Sequence, residues 1–163
     1  MATLTMLLDN EVLNEILVPL YPRESVQRRI YGFPEVTEWM MNVLPGLVTG
    51  RMRDTEAPSA QMDTILRKWI SGKPIRYRSM FKDMEPYPDQ VWELKTNDIR
   101  IFGWMYRPKE FIAVFPDYAD DYKEPTRTKS YFDAARKVVR ARDNLDLHEP
   151  KIAMGTFDDL VSI

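Results

Sequence analysis

VWELKTNDIRIFGWMYRPKEFIAVFPDYADD, residues 91–121, holds three apolar runs divided by two polar breaks. The breaks are Lys95-Thr96-Asn97-Asp98 and Arg107-Pro108-Lys109-Glu110. Val91 to Leu94, Ile99 to Tyr106 and Phe111 to Phe115 are rich in aromatic and β-branched residues, which suit a pleated, half-buried surface. Short runs of this kind separated by turn residues predict an antiparallel meander. Arg100 falls on its middle strand, and a basic segment, Lys123 to Arg142, follows at once.

Working outward, Ser130 to Asn144 has helical spacing. Tyr131 or Phe132, Ala135, Val138 and Val139 lie inward, and Arg136, Lys137, Arg140 and Arg142 lie on the rim. Upstream, Ser59 to Ile70 reads as a helix with Met62, Ile65, Leu66, Trp69 and Ile70 facing inward. Ser71-Gly72-Lys73-Pro74 closes it by a Gly-then-Pro stop. Ile75 and Tyr77 alternate with Arg76 and Arg78, which predicts a short strand. Phe81 to Gln90, with Pro86 and Pro88, reads as a connection.

Further upstream, Leu7 to Leu20 predicts a helix ending before Pro19, with Leu13, Ile16, Leu17 and Leu20 on one stripe. Pro22 to Arg29 reads as a short turn or helix, and Glu35 to Leu47 as a helix begun by Pro34. Thr49 to Pro58 reads as a linker. Beyond Leu145 the pattern weakens, with Ile152, Met154, Phe157, Leu160 and Val161 adding a strand or docking on the core. The expected class is α+β: helices lead, an antiparallel sheet of about four strands follows, and one helix packs across it.

Composition narrows the function. The chain has 163 residues, 44% of them hydrophobic, which is enough for a sizeable core. With no cysteine, disulfides, thiolate nucleophiles and cysteine zinc sites are excluded together. The N-terminal residues lack a basic region before their apolar run, unlike a signal peptide, and no apolar run is long enough for a membrane span; a cytoplasmic home is expected. Net charge is −2 but uneven: −2 over residues 1–70, +4 over 71–142 and −4 over 143–163. The middle block is where a phosphate-binding surface would sit. His148 is the only histidine and lacks the partners of a catalytic triad. Asp120-Asp121 and Asp158-Asp159 lack the ligand spacing of a calcium loop. Neither phosphate-loop, dinucleotide, zincin nor serine-hydrolase motifs occur, so no metal and no cofactor is expected.

Trp92-Glu93-Leu94-Lys95, then Ile99-Arg100-Ile101-Phe102, then Phe111-Ile112-Ala113-Val114-Phe115, then a basic helix, resembles the toxins of the RelE/HigB superfamily, of the phage-derived HigB-like type. The resemblance covers about residues 59–145. It sets apart 1–58 as an N-terminal helical extension and 146–163 as an acidic C-terminal tail. It implies a compact, metal-independent ribonuclease acting on messenger RNA or at the ribosome, in which fixed cations stabilise charge growing on the scissile phosphate. By position, Arg100, Lys123 and Arg127 would be catalytic, and Lys129, Arg136, Tyr118 and Tyr122 would bind RNA. The chain departs from the family at Asp120-Asp121, where a lysine pair is usual; two carboxylates there repel a phosphate.

Two readings therefore stand. In one, the protein is RNA-directed, restrained by its acidic tail, its N-terminal helices or an antitoxin. In the other, the toxin-like sheet is catalytically inactive and serves as a phage- or mobile-element-encoded effector that binds a host protein. Trp39, Met40 and Met41 are its candidate contact surface. A homodimer through the N-terminal helices is permitted by both. Arg100 also has a purely structural reading, as a salt-bridged strand residue, and the basic segment as a solvated helix face.

Overall fold

The computed structural model describes residues 1–49, 56–84 and 89–163. Its elements run α1 (Leu4–Asp9), β1 (Asn14–Glu15), β2 (Arg29–Gly32), α2 (Pro34–Asn42), α3 (Pro58–Ile70), β3 (Phe81–Asp83), β4 (Trp92–Lys95), β5 (Ile99–Arg107), β6 (Glu110–Tyr118), α4 (Tyr131–Asn144) and α5 (Phe157–Val161). One six-stranded sheet in the order β1-β2-β6-β5-β4-β3 organises the chain. The class is α+β, and the β4-β5-β6 meander is antiparallel, as its alternation requires. The sheet as a whole is mixed, because β2 pairs in parallel with β6, Ile30 opposite Phe111 and Tyr31 opposite Ile112.

The meander forms where its sequence allows a turn. Pro108 and Lys109 join β5 to β6, and Lys109 adopts φ 68°, the left-handed value such a tight connection uses. At the β5–β6 bulge after Phe102, Gly103 lies so close to the partner strand that a Cβ would stand 2.0 Å from the carbonyl oxygen of Ile112. Only glycine fits there.

The two faces of the sheet build two cores. On one, Trp69 of α3 packs on Phe81 and Phe111 with ring centroids 4.9 and 6.1 Å apart, joined by Trp92, Leu94, Ile101 and Leu160. On the other, Ala134, Ala135 and Val138 of α4 sit with Phe102, Trp104 and Phe115. Each face is continuous only because residues alternate along β4, β5 and β6.

Three expectations are corrected. Residues 1–58 are not a helical extension: they supply β1 and β2 to the sheet, and Leu13 and Ile30 are fully buried. The expected helix over Leu7 to Leu20 stops at Asp9, and Glu11 turns out of helical space at φ 57°. Leu13 then enters the α4-side core and Ile16 the α3-side core, whereas a helix would hold both on one face. The strand expected near residues 75–79 is absent. Arg78 has φ 72°, and the edge strand is Phe81–Asp83, inside the stretch read as a connection.

Other boundaries fall close to expectation. α3 begins on Pro58, one residue before the expected start, with Ala57 as its extended cap, and its five inward apolar residues are all buried. In the C-terminal stretch, α5 docks on the core with Leu160 and Val161 buried. Arg28, itself buried, fixes that segment by donating to the carbonyls of Val161 (2.8 Å), Trp69 (3.1 Å) and Lys73 (3.0 Å). Most of the expected linker (residues 50–55) and the stretch holding Pro86 and Pro88 (85–88) lie outside the described residues. No described helix is long and apolar enough to cross a membrane.

Candidate functional site

Arg100 and Asp117 face each other on β5 and β6, on the side of the sheet that α4 covers. Past Asp117 the chain turns through a short 3₁₀ helix, Ala119–Tyr122, and the segment after it folds back. The amides of Thr128 and Lys129 both donate to the carbonyl of Asp121, at 2.8 and 2.9 Å. Ser130 then caps α4, its hydroxyl accepting from the Asp133 amide at 3.0 Å. An open cleft of about 700 Å³ lies between the end of β6, this returning segment and the first turns of α4.

Asp117 organises one wall. It accepts from Lys129 Nζ at 2.7 Å, from the Tyr122 hydroxyl at 2.8 Å and from the Tyr118 amide at 3.0 Å. Lys129 also stands 3.4 Å from Asp121, and its pKa is raised chiefly by the Asp117 hydrogen bond. Burial, and then the same carboxylate, push the Tyr122 phenol far above its ordinary value. Tyr122 packs against Tyr131 and Phe102 with ring centroids 4.9 and 5.3 Å apart, so its ring belongs to the core. Across the cleft, Lys137 bonds Glu35 of α2 at 2.9 Å, with its ammonium 4.1 Å from the Phe115 ring centroid. Three cations, Arg127, Lys129 and Lys137, thus face three carboxylates, Glu35, Asp117 and Asp133. The cleft has no surplus positive charge with which to attract phosphate.

The residues expected to be catalytic do not converge. Arg100 is 2% exposed, and its Nη1 donates to the carbonyls of Thr96 and Ile99. Its Nε lies 3.7 Å from Oε2 of Glu93, which is 3% exposed, and Lys95 reaches the other Glu93 oxygen at 3.8 Å. Burial raises the Glu93 pKa against the pull of Arg100, Lys95, Lys82 and Lys123, in that order. Lys123 is exposed, and its charge acts to lower the Glu93 pKa. Arg127 pairs with Glu124 at 3.1 Å on the surface.

Of the residues expected to bind RNA, Tyr122 and Lys129 line the cleft, as does Arg127. Tyr118, 39% exposed, lies outside its lining, as does Arg136, whose guanidinium sits 5.6 Å from the Phe132 ring. Sequence reasoning did not find Glu93 as the partner of Arg100. The signal was available in register, because Glu93 lies opposite Phe102, one pleat from Arg100 on the same face. Glu35, far away in sequence, left no such trace.

No family model, curated protein or solved structure matches this chain. The resemblance to RelE/HigB toxins thus rests on the motif residues alone. Among the described residues no group of three or more His, Asp or Glu is placed to hold a metal ion.

Proposed function

We propose that the chain is a toxin-like effector that acts in the cytoplasm by binding a host protein, not by cutting RNA. One observation carries this reading: the arginine on which the family's chemistry would turn, Arg100, is buried and committed to Glu93 and two main-chain carbonyls. A transition-state cation must reach the phosphate it stabilises. Releasing Arg100 would expose Glu93, whose burial depends on cations around it. On the surface, Met41, Val43 and Val48 stand exposed at and after the C-terminal end of α2, where a partner can bury them.

The RNA-directed reading keeps one supporting observation, the gathering of Tyr122, Arg127 and Lys129 around a single open cleft. Induction of the chain in a bacterial cell separates the two. Growth arrest with full-length messenger RNA supports the binding reading. Arrest with shortened messenger RNA, relieved by Arg127→Ala with Lys129→Ala, supports the nuclease. Unimpaired growth would remove the effector reading.

A further inference from the structure

A second concentration of positive charge lies on the opposite side of the sheet from the basic helix. Two clefts of about 560 and 240 Å³ flank the last turn of α3 and share Lys68, Arg76 and Met80, so that they meet as one groove. Arg67 and Lys73 complete its cationic lining, with Lys95 at its edge, against two carboxylates, Glu24 and Glu56. Lys95 is paired with Glu93, so four cations, Arg67, Lys68, Lys73 and Arg76, stand against two carboxylates and leave a net +2, where the cleft beside α4 nets to zero.

Several of these cations are unspent. Lys68, Lys73 and Arg76 make no ion pair with any described carboxylate. Arg67 is held in place by an uncharged neighbour, stacked 4.1 Å from the ring centroid of Tyr21 and donating to its hydroxyl at 2.8 Å. The backbone presents the row: Arg67 and Lys68 lie in the last turn of α3, and Gly72 at φ 77° turns the chain so that Lys73 and Arg76 follow alongside. Lys95, at the end of β4, is half-buried and paired with Glu93 at 3.8 Å, so it adds no free charge to the row.

We infer that this groove is the docking site for a short acidic segment of a partner protein, its Asp and Glu carboxylates taken by Lys68, Lys73 and Arg76. The inference rests on the protein-binding reading above. Guanidinium groups bind carboxylates in bidentate fashion, and ammonium groups add unspecific attraction. Charge also selects a short ligand over a long polyanion. The whole chain carries −2, so the cations of the groove are a local feature of an acidic protein. A long nucleic acid would meet a chain of net negative charge, whereas a short acidic segment meets the cations alone.

The test is fluorescence anisotropy on the full chain with a labelled peptide of alternating Asp and Glu, against a labelled single-stranded oligonucleotide of equal formal charge. Lys73 and Arg76 are exposed, so Lys73→Glu with Arg76→Glu keeps the fold, which circular dichroism verifies. Salt-sensitive peptide binding that weakens about tenfold or more in this double variant, and is unchanged by Arg127→Glu in the other cleft, supports the groove. No peptide binding, equal loss in both variants, or tighter binding of the oligonucleotide overturns it. Because this readout involves neither growth nor RNA integrity, it fails separately from the effector reading. Arrest with intact messenger RNA but no peptide binding removes the groove alone.

Discussion

Arg100 and Glu93 form an ion pair on neighbouring strands, Nε to Oε2 at 3.7 Å, with both side chains almost wholly enclosed beneath α4. Neither of these two atoms makes a hydrogen bond among the described residues. Such a pair adds little stability in itself, but losing one member strands the other. Arg100→Ala is therefore expected to cost about 3–5 kcal/mol in urea unfolding. Replacing both residues by leucine should recover most of that loss. A small effect of Arg100→Ala alone would show that the arginine is not holding Glu93.

The same carboxylate gives a pH dependence of definite sign. Burial raises the folded-state pKa of Glu93 above its ordinary value, so the folded protein holds this proton more tightly than the unfolded chain. Its contribution is fully present below the ordinary carboxylate range and is lost as pH rises through the folded value. Glu93→Gln carries no such titration. The stability difference between wild type and Glu93→Gln, measured across acid to neutral pH, should move in favour of the variant as pH rises. A flat difference would mean that Glu93 titrates normally.

Gly103→Ala tests the closest approach in the sheet. An added methyl would meet the Ile112 carbonyl oxygen at 2.0 Å and the Phe111 ring at 2.8 Å, and the strand backbone has no room to yield. We expect a loss of about 2–4 kcal/mol, read as a lowered thermal midpoint. Gly46→Ala, with nothing within 4 Å of the new methyl, is the neutral comparison.

These residues also mark how far the sequence could be read. The meander, α2, α3 and α4 were legible because their apolar residues repeat with the period of the element over many positions. Trp69 and Val138, for instance, sit inward as their spacing requires. β2 was not legible. Four residues, Arg29–Gly32, carry too little pattern, and their parallel partner lies some eighty positions away at Glu110–Ala113. Leu13 and Ile16 misled because a three-residue spacing fits a helix as well as an irregular segment feeding two cores. At the candidate site, the basic residues were visible but their neutralisation was not, since Lys129 and Arg100 meet acids that only the folded chain brings to them.

The C-terminal segment gives a fourth prediction. Leu160 is 1% exposed and the segment is tied to Arg28, so Leu160→Ala should cost about 2–5 kcal/mol. Arg28→Met should increase hydrogen exchange over residues 157–163 before other regions respond. Unchanged exchange there would indicate that the apolar contacts alone seat the segment.

The central proposal, that this chain acts by binding a host protein without cleaving RNA, meets its most direct test in a translating bacterial extract. Purified chain is added, and messenger RNA ends are mapped by primer extension beside Arg127→Ala with Lys129→Ala. The account predicts the same ends with wild type, with the double variant and with no protein added. New ends that appear with wild type and vanish in the double variant would contradict it, and would place the chemistry in the cleft beside α4.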